Sequence, residues 1–306
     1  MPYPSPVTYP SALLFPGVGA AGFPIRIGIG DLVLNNFEAD GTAWTVNPDG
    51  FEGWEGSPAP TLKLEQRTRG HGATESESFL TPRTMSVAGV VKTEEPWMLS
   101  YAEDRLNAAC SLDPFLLTVH EQGRVRNAVA RRQDVVMFKA RRGRGNTADY
   151  SIQFVAKDPR KYGDLITIPT GLPFSSGGLV RPSTWPRTWT GVSGTGVVSV
   201  NNPGNTQAPV WLRLDGPLPA GGWTVTHVGK KQTLSFATSL ALAAGEFVTV
   251  DMERREVLAQ GQAARAGYVT SRGWFSLDPG DNDIAFSAQN YSPTAMLTVT
   301  TKPAWS

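Results

Sequence analysis

The fold is decided by the run of short apolar segments and turns at residues 196–236, GVVSVNNPGNTQAPVWLRLDGPLPAGGWTVTHVGKKQTLSF. Apolar residues recur at every second position, as in Val198 and Val200, and clusters such as Asn202-Pro203-Gly204 interrupt them. Alternation with a period of two is typical of strands that bury one face, and clusters of Asn, Pro and Gly end such strands. The run therefore predicts four strands, at 196–201, 208–214, 222–228 and 231–236.

The same pattern continues to the C-terminus. Five further strands are predicted, at 247–251, 255–259, 273–277, 283–288 and 294–301. Turn residues separate them, among them Asp278-Pro279-Gly280. Short strands at regular spacing without a helix are typical of a sandwich, so we predict a C-terminal β-sandwich domain over residues 196–306.

Residues 31–165 predict a first domain that is also rich in strands and contains one helix. Strands are expected at 84–92 and within 115–157, with exposed edges that a neighbouring chain or the N-terminal arm would cover. The helix runs from Glu94 to Asp113. We expect its apolar stripe to pack in the core, and the stripe consists of Trp97, Leu99, Tyr101, Leu106, Ala108 and Cys110. Residues 1–30 and 166–195 are dense in Pro and Gly, which predicts an arm and a linker.

Composition excludes several classes of protein. The 306 residues contain 28 Lys and Arg against 27 Asp and Glu, whereas proteins that bind polyanions in bulk are far more basic. The single cysteine, Cys110, allows no intramolecular disulfide and no multi-Cys zinc site, which fits synthesis in a reducing cytoplasm. No stretch of about 18 apolar residues occurs, so no membrane insertion is expected.

Residue types that could catalyse a reaction or bind a cofactor do not form a complete motif in this sequence. Gly17 to Gly22 has the spacing of a dinucleotide-binding fingerprint, but the following Phe23-Pro24 cannot open the helix that must hold the pyrophosphate. The histidines lie far apart in sequence: His71, His120 and His227. One carboxylate cluster lacks the ligand ladder of a calcium loop, which favours a polar turn: Asp278, Asp281 and Asp283. We therefore predict no enzyme activity, no metal and no cofactor.

A run of basic residues is the first candidate for a binding surface. Its arginines are Arg124, Arg126, Arg131, Arg132, Arg141, Arg142 and Arg144. Three interpretations stay open: a subunit interface that pairs the arginines with a neighbour's acids, contact with nucleic-acid phosphates, and a solvated face. Aromatic residues that would stack on bases are absent from the run.

Tryptophans of the C-terminal domain are the second candidate. Three of them, Trp211, Trp223 and Trp274, lie in or beside predicted strands. Aromatic side chains on a sandwich can stack on sugar rings, and they can equally fill the core. Alternation alone does not decide between these interpretations.

Several strings in a fixed order carry a resemblance to a known family. They are the following: Asp149–Phe154, Asp158–Gly163, Val200–Asn205, Ala208–Val210 with Asp215–Pro217, Ala244–Glu246 with Val250-Asp251, Trp274–Gly280 with Asn282, and Ala304-Trp305. In this order the chain resembles the distal tail proteins of siphovirus-like phages over about residues 31–306.

The resemblance implies a mainly β protein with two parts. The first is a split β-barrel belt domain with one helix, which assembles as a homohexameric ring at the distal end of the tail tube and lets DNA and the tape measure protein pass. The second is an outward-facing sandwich, similar to galectins or carbohydrate-binding modules. The protein would be a non-catalytic virion component at the tail tip, where it joins the tail tube protein to the tail hub, or tail-associated protein, and the adhesion device.

Two other functions stay open beside this one. The alternative is a carbohydrate-binding tail protein that attaches to host cell-wall sugars, and a glycan array would distinguish it from a purely structural role. A cell-wall hydrolase is the third, although no nucleophile, base or metal set is visible for it.

Overall fold

The computed structural model describes residues 25–176 and 192–306, apart from residues 122 and 144. Most of the predicted arm, half of the predicted linker and Arg144 therefore lie outside the described residues. The described chain divides into two compact units, residues 25–55 with 82–158, and residues 56–81 with 159–306.

The elements up to residue 158 are mostly strands. In chain order they are β1 (Ile25–Ile29), β2 (Leu32–Leu34), β3 (Asn36–Phe37), β4 (Ala43–Glu52), β5 (Pro60–Thr61), β6 (Leu64–Gln66), β7 (Ala73–Glu75), β8 (Phe79–Leu80), β9 (Arg83–Lys92), α1 (Met98–Ala109), β10 (Phe115–Glu121), β11 (Arg124–Arg132), β12 (Met137–Ala140) and β13 (Thr147–Ala156).

The later elements are strands and one short 3₁₀ turn at Ala266–Tyr268. The strands are β14 (Lys161–Tyr162), β15 (Ile166–Gly171), β16 (Phe174–Ser176), β17 (Val192–Gly194), β18 (Val197–Asn202), β19 (Val210–Asp215), β20 (Trp223–His227), β21 (Gln232–Phe236), β22 (Phe247–Asp251), β23 (Glu256–Ala259), β24 (Ala263–Ala264), β25 (Val269–Arg272), β26 (Gly280–Ala288), β27 (Met296–Thr301) and β28 (Ala304–Trp305).

The first unit is built on one antiparallel sheet with the order β2-β1-β10-β11-β13-β9-β4-β3, and β12 pairs with β13 beside β11. The described strands leave this sheet open, which is consistent with the predicted split barrel. Strand β9 lies between β13 and β4. The prediction of an exposed edge at 84–92 is therefore wrong, because both edges of β9 are paired.

Helix α1 packs on the core of this unit through Leu99, Ala102 and Leu106, and Cys110 follows in the same core. Trp97 and Tyr101 are 65% and 62% exposed, and their rings meet edge to face with centroids 5.7 Å apart. The prediction that these two rings pack in the core is wrong. An amphipathic helix has one buried face, and here the aliphatic residues at spacing i, i+3, i+7 occupy it.

A buried arginine joins the end of β4 to the start of β9. Gly53 has a φ of +79°, and a Cβ at this position would lie 2.1 Å from the carbonyl oxygen of Thr84, so the approach requires glycine. Arg83 is 2% exposed, and its Nη1 donates to the carbonyl oxygens of Gly53 (2.9 Å) and Trp54 (3.0 Å). Burial and then the charge of Arg126 lower the pKa of Arg83.

The 56–81 segment forms two short antiparallel ladders between β4 and β9. Strand β5 pairs with β8, and β6 pairs with β7 at Leu64↔Glu75 to Gln66↔Ala73. The polar stretch between Gln66 and Phe79 therefore contributes one strand of a hairpin, β7.

The second unit contains the predicted β-sandwich. A six-stranded sheet, β15-β27-β19-β22-β23-β24, and a five-stranded sheet, β18-β26-β20-β21-β25, enclose one apolar core. This confirms the predicted fold class. The strand predicted at 273–277 is wrong: β25 ends at Arg272, and the segment holds one isolated bridge, Ala208↔Leu277. The predicted linker 166–195 also contains all of β15, β16 and β17.

Candidate assembly surface

An exposed apolar surface adjoins an open strand edge in the first unit. Leu112 and Val135 are 77% and 76% exposed and line a groove of about 540 Å³ with Arg132. Met137, at the start of β12, is 49% exposed. We call Leu112, Val135, Met137 and the free edge of β12 the assembly surface. A strand edge with exposed apolar side chains is a template for pairing with another chain.

Strand β12 is an edge strand because the described residues give it one partner. Its residues 137–140 pair with 148–151 of β13, from Met137↔Ser151 to Ala140↔Ala148. The backbone N–H and C=O groups that point away from β13 are therefore open to pair with another chain. Lys139 projects from this strand, and a lysine on an edge limits indiscriminate pairing.

The turn between β12 and β13 carries Arg141 and Arg142. Arg141 Nε and Nη2 donate to both carboxylate oxygens of Asp149 at 2.5 to 3.1 Å. The hydrogen bond from Arg141 lowers the pKa of Asp149, and the same bond raises the pKa of Arg141. The charge of Arg141 is thus balanced within the chain, whereas the neighbouring Arg142 is exposed.

The other predicted arginines divide between the two faces of β11. Arg126 is half-buried, and its Nη2 lies 3.3 Å from Glu121 Oε2. Arg132 lies close enough to Cys110 to affect its thiol. Burial raises the pKa of this thiol, the charge of Arg132 partly opposes the rise, and the resulting pKa is about 11. Arg124 and Arg131 are exposed, at positions of opposite parity on the strand. The structure therefore does not join the basic run into one patch.

The three tryptophans lie in different surroundings. Trp223 is 1% exposed and stacks on Phe236 with ring centroids 3.7 Å apart, so it fills the core and is unavailable to a sugar. Trp274 is half-buried and packs against the same core. Trp211 is half-buried on β19, and its Nε1 donates to Asp251 Oδ2 at 3.0 Å.

The Asp278–Asp283 cluster is the base of a hydrogen-bond network around Asn282, which is 3% exposed. Asn282 Oδ1 accepts from the Asp278 backbone N–H (3.0 Å), and its Nδ2 donates to the carbonyl oxygens of Asp278 and Gly280 (2.8 Å each). His227 Nε2 lies 3.0 Å from the same Oδ1. Since Oδ1 accepts, Nε2 carries the proton. Asp278 thus lies in the polar turn that the sequence favours, whereas Asp281 and Asp283 lie in β26, where they pair with β18.

Asn282→Ala removes these bonds and leaves buried groups without partners. We expect the free energy of unfolding of the full chain to fall by about 2–3 kcal/mol in chemical denaturation. The matched control is Asp281→Ala at the neighbouring position of β26, where the exposed carboxylate accepts from Asn201 Nδ2 at 2.6 Å. The control should change the stability by less than about 0.5 kcal/mol. Equal losses in both variants would contradict the role of Asn282.

The part of the chain that the structure describes holds no group of three or more His, Cys, Asp or Glu side chains placed to bind a metal. Within the same residues, none of the helical segments combines the length and apolar character needed to cross a bilayer.

Residues whose hydrogen-bond partners lie far away along the chain were not identified from the sequence. Arg83 contacts residues about 30 positions earlier, and Lys230 Nζ donates to the Ser276 carbonyl oxygen at 2.7 Å and pairs with Asp278 Oδ1 at 2.8 Å. No local sequence pattern predicts such pairs. The outward face of β19 is different, because Arg213 and Asp215 on alternate positions mark the side on which Trp211 lies.

Comparison with known proteins finds a family match within the second unit. Residues 203–305 match the family described as siphovirus-type tail component, C-terminal domain. No curated protein sequence is significantly similar to the chain. The match confirms the expected resemblance to siphovirus-like distal tail proteins.

One solved structure shares the fold over most of the chain. The Dit (gp 19.1) protein of phage SPP1, titled a paradigm of hub adsorption apparatus in phages that infect Gram-positive hosts, superposes with a TM-score of 0.63 and 12% identity, over 92% of this chain and 98% of that one. The phage P2 baseplate in its activated conformation with Ca gives a TM-score of 0.44 and 12% identity, over 90% and 97% of the two chains.

Proposed function

We propose that this tail component forms a ring at the distal end of the tail tube and connects the tube to the baseplate hub and adhesion device. It acts without catalysis, as a structural part of the virion tip. The observation that carries the proposal is the family match over residues 203–305, and the fold shared with SPP1 Dit over 92% of the chain supports it. Its partners are further copies of itself, the tail tube protein, the tape measure protein and the tail hub protein.

A closed ring needs an interface between two different surfaces of the same chain. The assembly surface supplies one half of such an interface: a strand edge that pairs with none of the described strands and is flanked by Leu112, Val135 and Met137. Burying exposed apolar side chains against a neighbour is favourable by about 25 cal/mol for each Å² of apolar surface. We propose that β12 pairs with the neighbouring protomer, and that Arg142 beside it faces that neighbour rather than the lumen.

The near balance of charge agrees with a ring through which DNA passes. With 28 basic and 27 acidic residues, the chain carries a formal charge of +1. Strong non-specific binding of DNA depends on many Lys and Arg contacts with phosphates, and each contact would retard passage.

Light scattering on the size-exclusion peak of the purified protein tests the ring, with negative-stain images of the same fraction. For a 32.9 kDa chain we expect a mass of about 200 kDa, six protomers, and annular particles. Val135→Glu and Arg142→Glu should each reduce the ring fraction at least tenfold, because a charge is buried or reversed at the interface. Val228→Glu, at a 48% exposed valine in the second unit, is the matched control and should leave it unchanged.

Each outcome bears on a separate part of the proposal. A wild-type protein that stays monomeric when mixed with its tail tube protein would refute ring formation. Normal rings from the Val135→Glu variant would refute the assembly surface, and normal rings from the Arg142→Glu variant would refute the position of that arginine.

A further inference from the structure

A shallow groove of about 210 Å³ crosses β19, β22 and β23 on the outer face of the six-stranded sheet. Leu212 and Leu214 of β19 are buried in the core, so Trp211 and Arg213 project to the opposite face. The groove is smaller than the roughly 300–1,000 Å³ of pockets for drug-sized ligands. Its size therefore suits a single small ring.

The strand register places polar side chains on both sides of Trp211. Thr300 of β27 pairs with it on one side and Asp251 of β22 on the other, and Glu256 of β23 lies beyond Asp251. These four residues all line the groove, and Glu256 is exposed. The row thus offers an aromatic ring with a hydroxyl on one side and two carboxylates on the other.

Asp251 fixes the position of the indole ring. Its Oδ2 accepts from Trp211 Nε1 at 3.0 Å. Its Oδ1 accepts from the backbone N–H groups of Glu253 (3.0 Å) and Arg254 (2.9 Å), which hold the carboxylate in the turn after β22. An aromatic ring held by a hydrogen bond loses little freedom when a ligand stacks on it, which favours binding.

Arg213 contributes the donors of the site. Its guanidinium stacks on the ring of Phe247, 3.9 Å from the centroid, and its Nε and Nη2 donate to Asp215. The side chain is 50% exposed. A guanidinium has five N–H donors, and the bonds to Asp215 leave those on Nη1 to a ligand.

We propose that this groove binds one neutral pyranose ring of a glycan. The apolar C–H face of the sugar stacks on Trp211, and its hydroxyls donate to Asp251 and Glu256 and accept from Arg213. Hydroxyl groups are donors and acceptors at once, which this mixture of carboxylates and guanidinium requires. The charge of Arg213 is balanced by Asp215, and Arg254 Nε lies 3.8 Å from Asp251 Oδ2, so both arginines already face a carboxylate. A phosphorylated or carboxylated glycan would compete with these acids, and we therefore propose an uncharged ligand. Such a site would give the tail component a function in recognising sugars, beyond its place in the tail.

Saturation-transfer NMR on the full chain tests the site, with methyl glycosides of glucose, galactose, mannose and N-acetylglucosamine as probes and glucose 6-phosphate as the anionic probe. We expect at least one neutral glycoside to bind and the phosphate to bind at least tenfold more weakly. Trp211→Ala should weaken that binding at least tenfold, whereas Trp211→Phe, which keeps an aromatic face, should retain it within about threefold. The matched control is Trp97→Ala, an exposed tryptophan of the other unit.

The outcomes separate this site from the proposed ring. Absence of binding by every neutral glycoside, preference for the phosphate, or unchanged binding in Trp211→Ala would each overturn the site. The mass and images of the same samples report on the ring independently. A chain that forms rings and binds no sugar would refute this inference alone, and a chain that binds sugar without forming rings would refute the proposed function alone.

Discussion

Trp223→Ala is expected to lower the free energy of unfolding of the sandwich by about 3–5 kcal/mol, the largest effect of any single change considered. Trp223 is 1% exposed, stacks on Phe236 at 3.7 Å between centroids and meets Phe286 edge to face at 6.4 Å. Truncation removes the apolar surface of the indole and leaves a cavity that the two rings cannot fill. Chemical denaturation of the full chain, followed by far-UV circular dichroism, measures the loss.

Trp223→Phe is the matched control for this substitution. The Nε1 atom of Trp223 has no acceptor within the described part of the chain, so phenylalanine removes volume without breaking a hydrogen bond. We expect a loss of only about 1–2 kcal/mol. If alanine and phenylalanine destabilise the protein equally, the stacked cluster is not the source of stability that the packing indicates.

Arg83→Met is expected to lower the free energy of unfolding of the first unit by about 3 kcal/mol. Methionine fills a similar volume but cannot donate, so the carbonyl oxygens of Gly53 and Trp54 lose a charged donor in a buried setting. A hydrogen bond to a charged group contributes about 1.5–3 kcal/mol, and a buried acceptor left without its partner adds a desolvation cost. Denaturation measured by near-UV circular dichroism reports the change.

Arg105→Met provides the comparison, because Arg105 is an arginine of the same unit that pairs with Glu38 while its side chain is 46% exposed. An exposed ion pair contributes about 0–1 kcal/mol, so this variant should remain close to the parent protein. A loss in Arg83→Met no greater than the loss in Arg105→Met would contradict the importance of the buried contacts.

The sandwich was predictable from the sequence because period-two alternation reports directly on burial. In Val210–Asp215 the apolar positions are buried, and the charged positions face outward. The same alternation, read with Arg213 and Asp215, would have placed Trp211 outside. In Trp223–His227, where the outward positions are threonines, it would have placed Trp223 inside.

The buried face of α1 and the burial of Arg83 could not be predicted from local sequence patterns. A 12-residue helix with both aliphatic and aromatic residues presents two candidate faces, and only the sheet beneath decides between Leu99 and Trp97. Arg83 reads as a polar residue before a strand, since its partners lie about 30 residues away. Likewise, Arg126 and Arg131 must lie on opposite faces of β11, but which of the two faces is buried follows from the pairing of β11 with β10, which the sequence does not show.

The 56–81 segment is a part of this protein in which evolution can lengthen the chain. Gly53 and Trp54 precede the segment and Arg83 follows it, and the hydrogen bonds from Arg83 to their carbonyl oxygens hold the two ends together. Inside the segment, β5 pairs with β8. Since both ends are held, added length costs only the slow logarithmic entropy of loop closure, about 0.6 kcal/mol for each doubling. The tip of the hairpin, residues 67–72, is a site where genetic insertions of very different lengths would be tolerated while the first unit keeps its fold.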